Sequence, residues 1–194
     1  ALGEIEITTQ IIRAGKTIEL IESTMRGQGK TLVVAHTWRM MTSDTSAIVG
    51  LEDTVVESPE HMPIFDGIHQ WRGQYTKTIE ARSNSHRNGK GLVWLKTKVD
   101  MVEGQHTSPF VRLVCMSDMA NGVVPRQNRP FEWGFPNLDL QIHLYRMPQG
   151  EWLGIEAVQQ YGSDGIGLSS SILHDTQGPF GRSEQILTLR PMQE

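Results

Sequence analysis

The acidic residue best suited to chemistry is Asp118, because it is the only carboxylate in the mostly apolar stretch 106–124. Carboxylates are rarely buried without a partner or a function. Burial disfavours the charged form of a carboxylate, which makes it a better proton acceptor than a solvated one. Asp118 is therefore a candidate general base. The alternative interpretation is that Asp118 points to solvent or caps a neighbouring loop.

An amide side chain, Gln185, is the second candidate. In the stretch SEQILTL, strand alternation puts Gln185 on the same face as Leu187 and Leu189. Buried polar groups normally have hydrogen-bond partners, so an amide among leucines indicates a local polar demand, such as a bound water. The alternative is a glutamine at a strand end that faces solvent.

Other reactive residue types give weaker signals. The single cysteine, Cys115, lies among apolar neighbours with nothing nearby to lower its pKa, so we interpret it as a small core residue. His36, His86 and His106 lack metal-ligand spacing, and we therefore predict no metal and no cofactor. His143 is interpreted as a strand-face residue. The sequence contains no G-x-S-x-G motif, which argues against a serine nucleophile.

The element that would position Asp118 is a helix over residues 106–124. Thr107 or Ser108 can cap its start, Pro109 suits its first turn, and an Asn-Gly pair supplies its end. Because this segment is nearly apolar all round, we expect it to be buried rather than to lie on the surface.

The rest of the chain has the alternation and the turn residues of strands. The predicted strands are 4–13, 16–25, 30–41, 77–82, 90–99, 137–146, 151–160, 166–175 and 180–190. Residues 42–75 are irregular, and we interpret them as a long connection ordered in places by Ile64, Phe65, Ile68 and Trp71. The predicted class is α+β, with an antiparallel sheet wrapped around a central helix.

The bulk composition excludes several classes of protein. The 194 residues carry a formal charge of −4 with no basic stripe, which argues against a nucleic-acid partner. No apolar run approaches the length of a membrane span, and no signal peptide opens the chain. A single cysteine excludes an internal disulfide and suits a reducing compartment, so we predict a cytoplasmic protein without a membrane partner.

Three stretches resemble the double hot-dog acyl-CoA thioesterases, of the acyl-CoA thioesterase II type: MSDMANG, NLDLQIHLYRMPQGEWLGIEA and GPFGRSEQILTLRP. The resemblance is strongest over residues 80–191. It implies a double hot-dog fold with an incomplete first half, which would lack its N-terminal strand and helix. The domains it implies are a first half at 1–58, a linker at 59–76 and a second hot-dog domain at 77–194. A weak similarity between EIEITTQIIR and NLDLQIHLYR also suggests duplication.

The same resemblance implies a site in which a carboxylate, an amide and a hydroxyl hold the water that attacks a thioester. Carried over by motif, the carboxylate is Asp118 and the amide is Gln185. The hydroxyl position falls on Asn137, where the best-known members carry Thr, although Asn can also donate to and accept from a water. Asp139 is either a partner of this site or an exposed strand residue. The implied reaction is hydrolysis of a fatty acyl-CoA to the free acid and CoA.

Three functions remain open. The first is this hydrolase, with acyl-CoA as its substrate. The second is a hot-dog protein that binds an acyl thioester without turning it over, which the change from Thr to Asn and the missing helix favour. The third is a hydratase or dehydratase, which would need an Asp-His pair, and no histidine follows Asp118 within the predicted helix.

Two further expectations concern assembly and the acyl group. Sheet edges need partners, so we predict a homo-oligomer. Trp94, Trp133 and Trp152 are predicted to be packing residues, although one of them could line an acyl tunnel.

Overall fold

The computed structural model describes residues 3–192, except for the side chain of His86. The chain divides into two units, Ala1–Gly50 and Leu51–Glu194. The segment 59–76, which the sequence suggested as a linker, lies inside the second unit. The predicted bounds 1–58 and 77–194 therefore differ from those of the units.

The first unit is an antiparallel meander of three strands in the order β1-β2-β3. Its strands are β1 (Ile5–Arg13), β2 (Ile18–Gly27) and β3 (Lys30–Met40). The three strands confirm the prediction from sequence alternation. The turn between β2 and β3 places Gln28 and Gly29 at φ values of 52° and 72°, the left-handed conformation that tight hairpins require.

The second unit contains a six-stranded antiparallel sheet with the strand order β4-β5-β8-β9-β10-β7. In chain order, its strands are β4 (Ile79–Arg87), β5 (Lys90–Thr97), β6 (Trp133–Gly134), β7 (Gln141–Leu144), β8 (Leu153–Tyr161), β9 (Ile166–Asp175), β10 (Gly178–Thr188) and β11 (Arg190–Pro191). The short strands β6 and β11 pair only with each other. The predicted strand 77–82 is too short, because β4 continues to Arg87.

The predicted single helix over residues 106–124 is wrong. The segment forms two short helices, α1 (Pro109–Val114) and α2 (Ala120–Val123), separated by a 3-10 turn at Ser117–Met119. Ser117 Oγ donates to the Leu113 carbonyl oxygen at 3.3 Å, a contact that competes with regular helical bonding. The predicted start is confirmed, since Ser108 Oγ accepts from the Val111 N–H at 3.3 Å. No helix in residues 3–192 combines the length and apolar character needed to cross a membrane.

This helical segment packs on the inner face of the six-stranded sheet. Its buried residues lie between α1, α2 and the strands: Leu113, Met116, Ala120, Val123 and Val124 from the helical side, and Val93, Leu95, Leu153, Ile155, Ala157 and Leu173 from the sheet. The segment is not buried all round, as its composition suggested, because only one of its faces meets the sheet. Asp118, Phe110 and Val111 are exposed.

The connection before β4 takes part in the same core. Ile68 is only 1% exposed and packs in the core, and Phe65 packs against it. The indole N–H of Trp71 donates to the Gly122 carbonyl oxygen at 3.0 Å, which ties the connection to α2. The prediction that these three residues order the segment is confirmed, whereas Ile64 is largely exposed.

The outer face of the sheet is covered by an earlier part of the same connection, around residues 56–62. Trp94 is buried beside Met62 and Leu92, and Trp152 packs against the same cluster. The indole N–H of Trp94 donates to the Glu57 carbonyl oxygen at 2.9 Å. Trp94 and Trp152 are thus packing residues, as predicted.

Candidate active site

The structure brings the three predicted site residues into direct contact around Asp118. Its carboxylate oxygen Oδ1 accepts a hydrogen bond from Asn137 Nδ2 at 2.9 Å and another from Gln185 Nε2 at 3.0 Å. Among the residues that the structure describes, none donates to the second oxygen, Oδ2. The carboxylate is therefore held at one oxygen while the other remains available to a water.

Asp118 is exposed, which corrects the expectation of a buried carboxylate. The 3-10 turn interrupts the helix at this residue and directs it away from the sheet. The alternative interpretation, that Asp118 points to solvent, is correct about exposure. It does not account for the two amides that fix Oδ1. Any activity of Asp118 as a base must come from the way the two amides orient its carboxylate.

Gln185 is completely buried in β10, so the interpretation as a solvent-facing strand end is wrong. Its Nε2 donates to both Oδ1 and the main-chain oxygen of Asp118, at 3.0 and 3.1 Å. Its Oε1 accepts from the Asn121 N–H at 3.1 Å. The side chain thus spans from the sheet to the turn that carries the carboxylate.

Asn137 reaches the site from the chain preceding β7, where it forms a single bridge with Leu187 of β10. Its two amide hydrogens go to Asp118 Oδ1 and to the Asp139 carbonyl oxygen, the second at 3.2 Å. Its Oδ1 accepts from Asn121 Nδ2 at 3.3 Å. Together, these three contacts fix the orientation of the Asn137 side-chain amide.

Asp139 is a partner of this site rather than an exposed strand residue. It is half-buried, and its carboxylate accepts from the Ile186 N–H of β10 at 2.8 Å. Its carbonyl oxygen holds the amide of Asn137. Asp139 therefore acts on Asn137 by fixing the backbone that carries it.

Two residues of the site, Asn121 and Gln159, were not singled out from the sequence. Gln159 is completely buried in β8, and its Nε2 donates to the Asn121 carbonyl oxygen at 2.8 Å. Its Oε1 accepts from the Arg126 N–H at 3.0 Å. The backbone of Asn121 is thus held by Gln159 at its carbonyl and by Gln185 at its N–H. The signal was present, because Gln159 is an amide on the apolar face of a strand, like Gln185.

The remaining candidates lie outside this cluster. Cys115 is half-buried, and burial raises the pKa of its thiol, so the sulfur stays protonated and donates to the Arg112 carbonyl oxygen at 2.9 Å. His106 and His143 are exposed. The side chain of His86 lies outside the described residues. No set of three or more His, Cys, Asp or Glu residues in the described chain could hold a metal ion.

A cavity of about 480 Å³ opens beside Asp118, Asn121 and Asn137. Its other walls are mainly apolar and include Ile68, Trp71, Met119, Phe131, Trp133, Phe135, Pro136 and Met192. The rings of Trp71, Phe131 and Phe135 contact one another, with centroids 5.4 to 5.8 Å apart. Trp133 is therefore the one tryptophan of the predicted three that lines this space. The volume lies in the usual range of small-molecule sites, about 300–1,000 Å³.

Comparison with solved structures finds the same fold at low identity. An acyl-CoA thioesterase II from Mycobacterium marinum is 14% identical, with a TM-score of 0.69 over 97% of this chain and 74% of that one. A tesB protein from Mycobacterium avium subspecies paratuberculosis is 12% identical, with a TM-score of 0.63 over 96% and 72%. A protein with a hot dog fold from Alicyclobacillus acidocaldarius is 12% identical, with a TM-score of 0.70 over 96% and 73%. These similarities identify a hot-dog fold of the α+β class.

A comparison with curated proteins finds no match. A family model, the acyl-CoA thioesterase C-terminal domain, matches residues 52–189, which is most of the second unit and contains Asp118, Asn137 and Gln185. The matched range includes the segment 59–76. The chain belongs to the acyl-CoA thioesterase family that this domain defines.

Proposed function

We propose that this protein is an acyl-CoA thioester hydrolase in which Asp118, oriented by the amides of Asn137 and Gln185, positions the attacking water. The observation that carries the proposal is the unequal use of the Asp118 carboxylate. Oδ1 accepts two amide hydrogen bonds, and Oδ2 has no donor among the described residues. Membership of the family supplies the reaction class. A fatty acyl group is the substrate that the sequence resemblance implies.

In the proposed reaction, a water on Asp118 Oδ2 attacks the thioester carbonyl carbon while its proton passes to the carboxylate. The carbonyl oxygen becomes an oxyanion, which needs a hydrogen-bond donor. One Nδ2 hydrogen of Asn121 is used by Asn137, and the other is available to donate to the oxyanion at the same cavity wall. Collapse of the tetrahedral intermediate breaks the carbon–sulfur bond, and the leaving thiolate takes the proton from Asp118. The products are the acid and the free thiol.

We further propose that the chain is a double hot-dog in which the three strands of the first unit belong to the first half. The support is the extent of the structural similarity, because the compared hot-dog protein aligns with 96% of this chain and not with the second unit alone. We also propose a homo-oligomer, because strand β7 ends the six-stranded sheet and a free strand edge favours pairing with another chain.

A second candidate function is a protein that binds acyl thioesters without hydrolysing them. Asn137 favours it, because an amide stands where the family's best-known members have a hydroxyl. A hydratase or dehydratase has less support, since no histidine lines the cavity beside Asp118 in the described part of the chain.

Thiol release from a panel of acyl-CoA substrates, followed with a thiol-trapping dye, tests the proposal. A hydrolase releases CoA with saturable kinetics and shows an optimum in acyl length. The same panel measured by calorimetry provides the comparison. Tight binding without thiol release for every substrate would establish the binding protein instead.

A further inference from the structure

The main-chain carbonyl of Asn121 lacks the donor that a helix normally supplies. Asn121 lies in the four-residue helix α2, and in a continuous helix its carbonyl would accept from the N–H four residues further on. That residue is Pro125, which has no N–H. The backbone also leaves the helical conformation at Val124, where φ is −132° and ψ is 59°. The carbonyl of Asn121 therefore depends on a donor from outside the helix.

Gln159 supplies that donor from the sheet. Its side chain is completely buried, and its Nε2 donates to the Asn121 carbonyl oxygen at 2.8 Å. Its Oε1 accepts from the N–H of Arg126, the residue after the proline, at 3.0 Å. One side chain thus bridges the backbone groups on the two sides of Pro125, and both ends of its amide are used.

Gln159 and Gln185 hold Asn121 from two sides. Both lie opposite Ser169 of β9 in the antiparallel register, Gln159 on β8 and Gln185 on β10. Their strands are about 9–10 Å apart across the sheet. Gln185 accepts from the N–H of Asn121 at 3.1 Å, whereas Gln159 donates to its carbonyl. These two groups belong to the peptide planes before and after the Asn121 Cα. Holding both planes fixes the direction in which the Asn121 side chain leaves the backbone.

That direction matters because the Nδ2 of Asn121 is the oxyanion donor in the proposed reaction. One of its hydrogens goes to Asn137 Oδ1 at 3.3 Å, and the other is available at the wall of the cavity. A donor of this kind stabilises the transition state only if it is already oriented. A helix of four residues is too short to hold its own conformation, so α2 cannot provide that orientation alone.

We infer that Gln159 is a positioning residue for the reaction, which holds the Asn121 backbone so that the Asn121 amide points at the oxyanion. This inference rests on the proposed thioesterase function. In the described part of the chain, the lining of the cavity beside Asp118 includes Asn121 but not Gln159. The effect of Gln159 on the reaction therefore passes through Asn121.

Gln159→Met removes both side-chain hydrogen bonds and keeps a side chain of similar length. With the best substrate of the acyl-CoA panel, we expect kcat to fall by about 10–100-fold, because a displacement of about 1 Å has effects of this size. KM should stay the same, since Asn121 donates to an oxygen that becomes charged only in the transition state. The control is Gln160→Met, at the exposed neighbouring position of β8, which should change neither constant.

A second variant guards against a failure to fold. Gln159→Glu keeps the shape of the side chain and an acceptor for the Arg126 N–H, but it loses the donor to Asn121. The guanidinium of Arg126, which donates to the Gln159 carbonyl oxygen at 3.1 Å, places a cation near the added charge. We expect kcat to fall by a similar factor. Thermal unfolding shows which variant is folded at the assay temperature, and the kcat of that variant decides.

A double-mutant cycle separates positioning from a structural role. Asn121→Ala removes the oxyanion donor, and kcat should fall by about 10²–10³-fold. The main-chain carbonyl remains in this variant, so adding Gln159→Met should still lower the melting temperature. The second change should not lower kcat further, because the side chain through which Gln159 acts is already absent.

Two results would overturn the inference. One is an unchanged kcat in a folded Gln159 variant. The other is a loss of kcat in the Asn121→Ala background as large as in the original protein, which would show that Gln159 acts independently of the Asn121 side chain. In both cases normal hydrolysis by the original protein keeps the proposed function and removes only the role of Gln159. If the original protein hydrolyses no member of the panel, the proposed function fails, and the positioning role fails with it.

Discussion

The carboxylate of Asp118 derives its proposed role from how it is held. Asp118→Asn keeps an oxygen for the two amide donors but removes the proton acceptor, so we expect turnover to fall by about 10²–10⁴-fold. The melting temperature should stay the same, because the residue is exposed. Thiol release and thermal unfolding measure the two effects. Asp164→Asn, at an exposed turn, is the control, and full activity in Asp118→Asn would remove the residue from the mechanism.

Gln185 can be tested by a change that keeps its shape. In Gln185→Glu, one oxygen can still accept from the Asn121 N–H, but the other replaces the Nε2 that donates to two oxygens of Asp118. Two carboxylates then face each other, and we expect turnover to fall at least tenfold together with a lower melting temperature. Gln160→Glu, on the exposed side of β8, should change neither quantity. Normal turnover in Gln185→Glu would show that this amide does not orient the base.

The sequence could identify Asp118 and Gln185 because each is a polar residue that interrupts an apolar pattern. Asn137 could be assigned only through the resemblance to the thioesterases. Asn121 was interpreted as a helix stop, and its contacts are set by two strands, β8 and β10, that are not adjacent in the sheet. A contact of that kind depends on the strand order, which alternation within one strand does not contain.

At the scale of elements, alternation predicted the strands well because each has one face on the core or a regular antiparallel partner. It failed where side chains determine the backbone. The helix was predicted as continuous, but the Ser117 hydroxyl bonds to the carbonyl of Leu113 and the segment turns. Strand β7 is shorter than predicted, since the chain before it bends to bring Asn137 to Asp118.

The end of β7 is attached to the turn between β9 and β10 by one ion pair. Arg146 donates to both oxygens of the buried Asp175 carboxylate, at 2.6 and 2.8 Å. Burial alone would raise the pKa of Asp175, but Arg146 and the N–H groups of Gln149 and Gln177 outweigh it and hold the pKa below its ordinary value. The stability that the ionised Asp175 carboxylate contributes is therefore complete above its unfolded-state pKa, about 3.9. That stability is lost as the pH falls towards the folded-state pKa.

Arg146→Met leaves that carboxylate without its cation. We expect the free energy of unfolding at neutral pH to fall by about 3–5 kcal/mol, since an unpaired charge remains buried. The difference from the original protein should shrink below a pH of about 4, where Asp175 can take up a proton. Urea unfolding across this pH range measures it. Arg182→Met, which breaks the exposed pair with Asp53, should lower the free energy of unfolding by no more than about 1 kcal/mol. An equal effect of both changes would contradict a special contribution of the Arg146–Asp175 pair to stability.

At the scale of the whole molecule, the outer edge of β7 has no strand partner in the described chain. Backbone groups along such an edge favour pairing with a second chain. We expect a species larger than the 21.8 kDa monomer at micromolar concentration, measured by sedimentation velocity. A monodisperse monomer of the unchanged protein would contradict the predicted oligomer.

The division of the chain can be tested with two fragments that differ in the segment before β4. The fragment 51–194 corresponds to the second unit, and the fragment 77–194 corresponds to the second domain predicted from the sequence. The shorter one lacks Ile68, which is buried in the core, and Trp71, which bonds to α2 and lines the cavity beside Asp118. Removing a buried large apolar side chain commonly costs 2–5 kcal/mol, a large part of the stability of a domain of this size. We therefore expect 51–194 to unfold cooperatively and 77–194 to lack a thermal transition, as followed by circular dichroism. Equal melting temperatures for the two fragments would instead support a boundary at residue 77 and a linker role for 59–76.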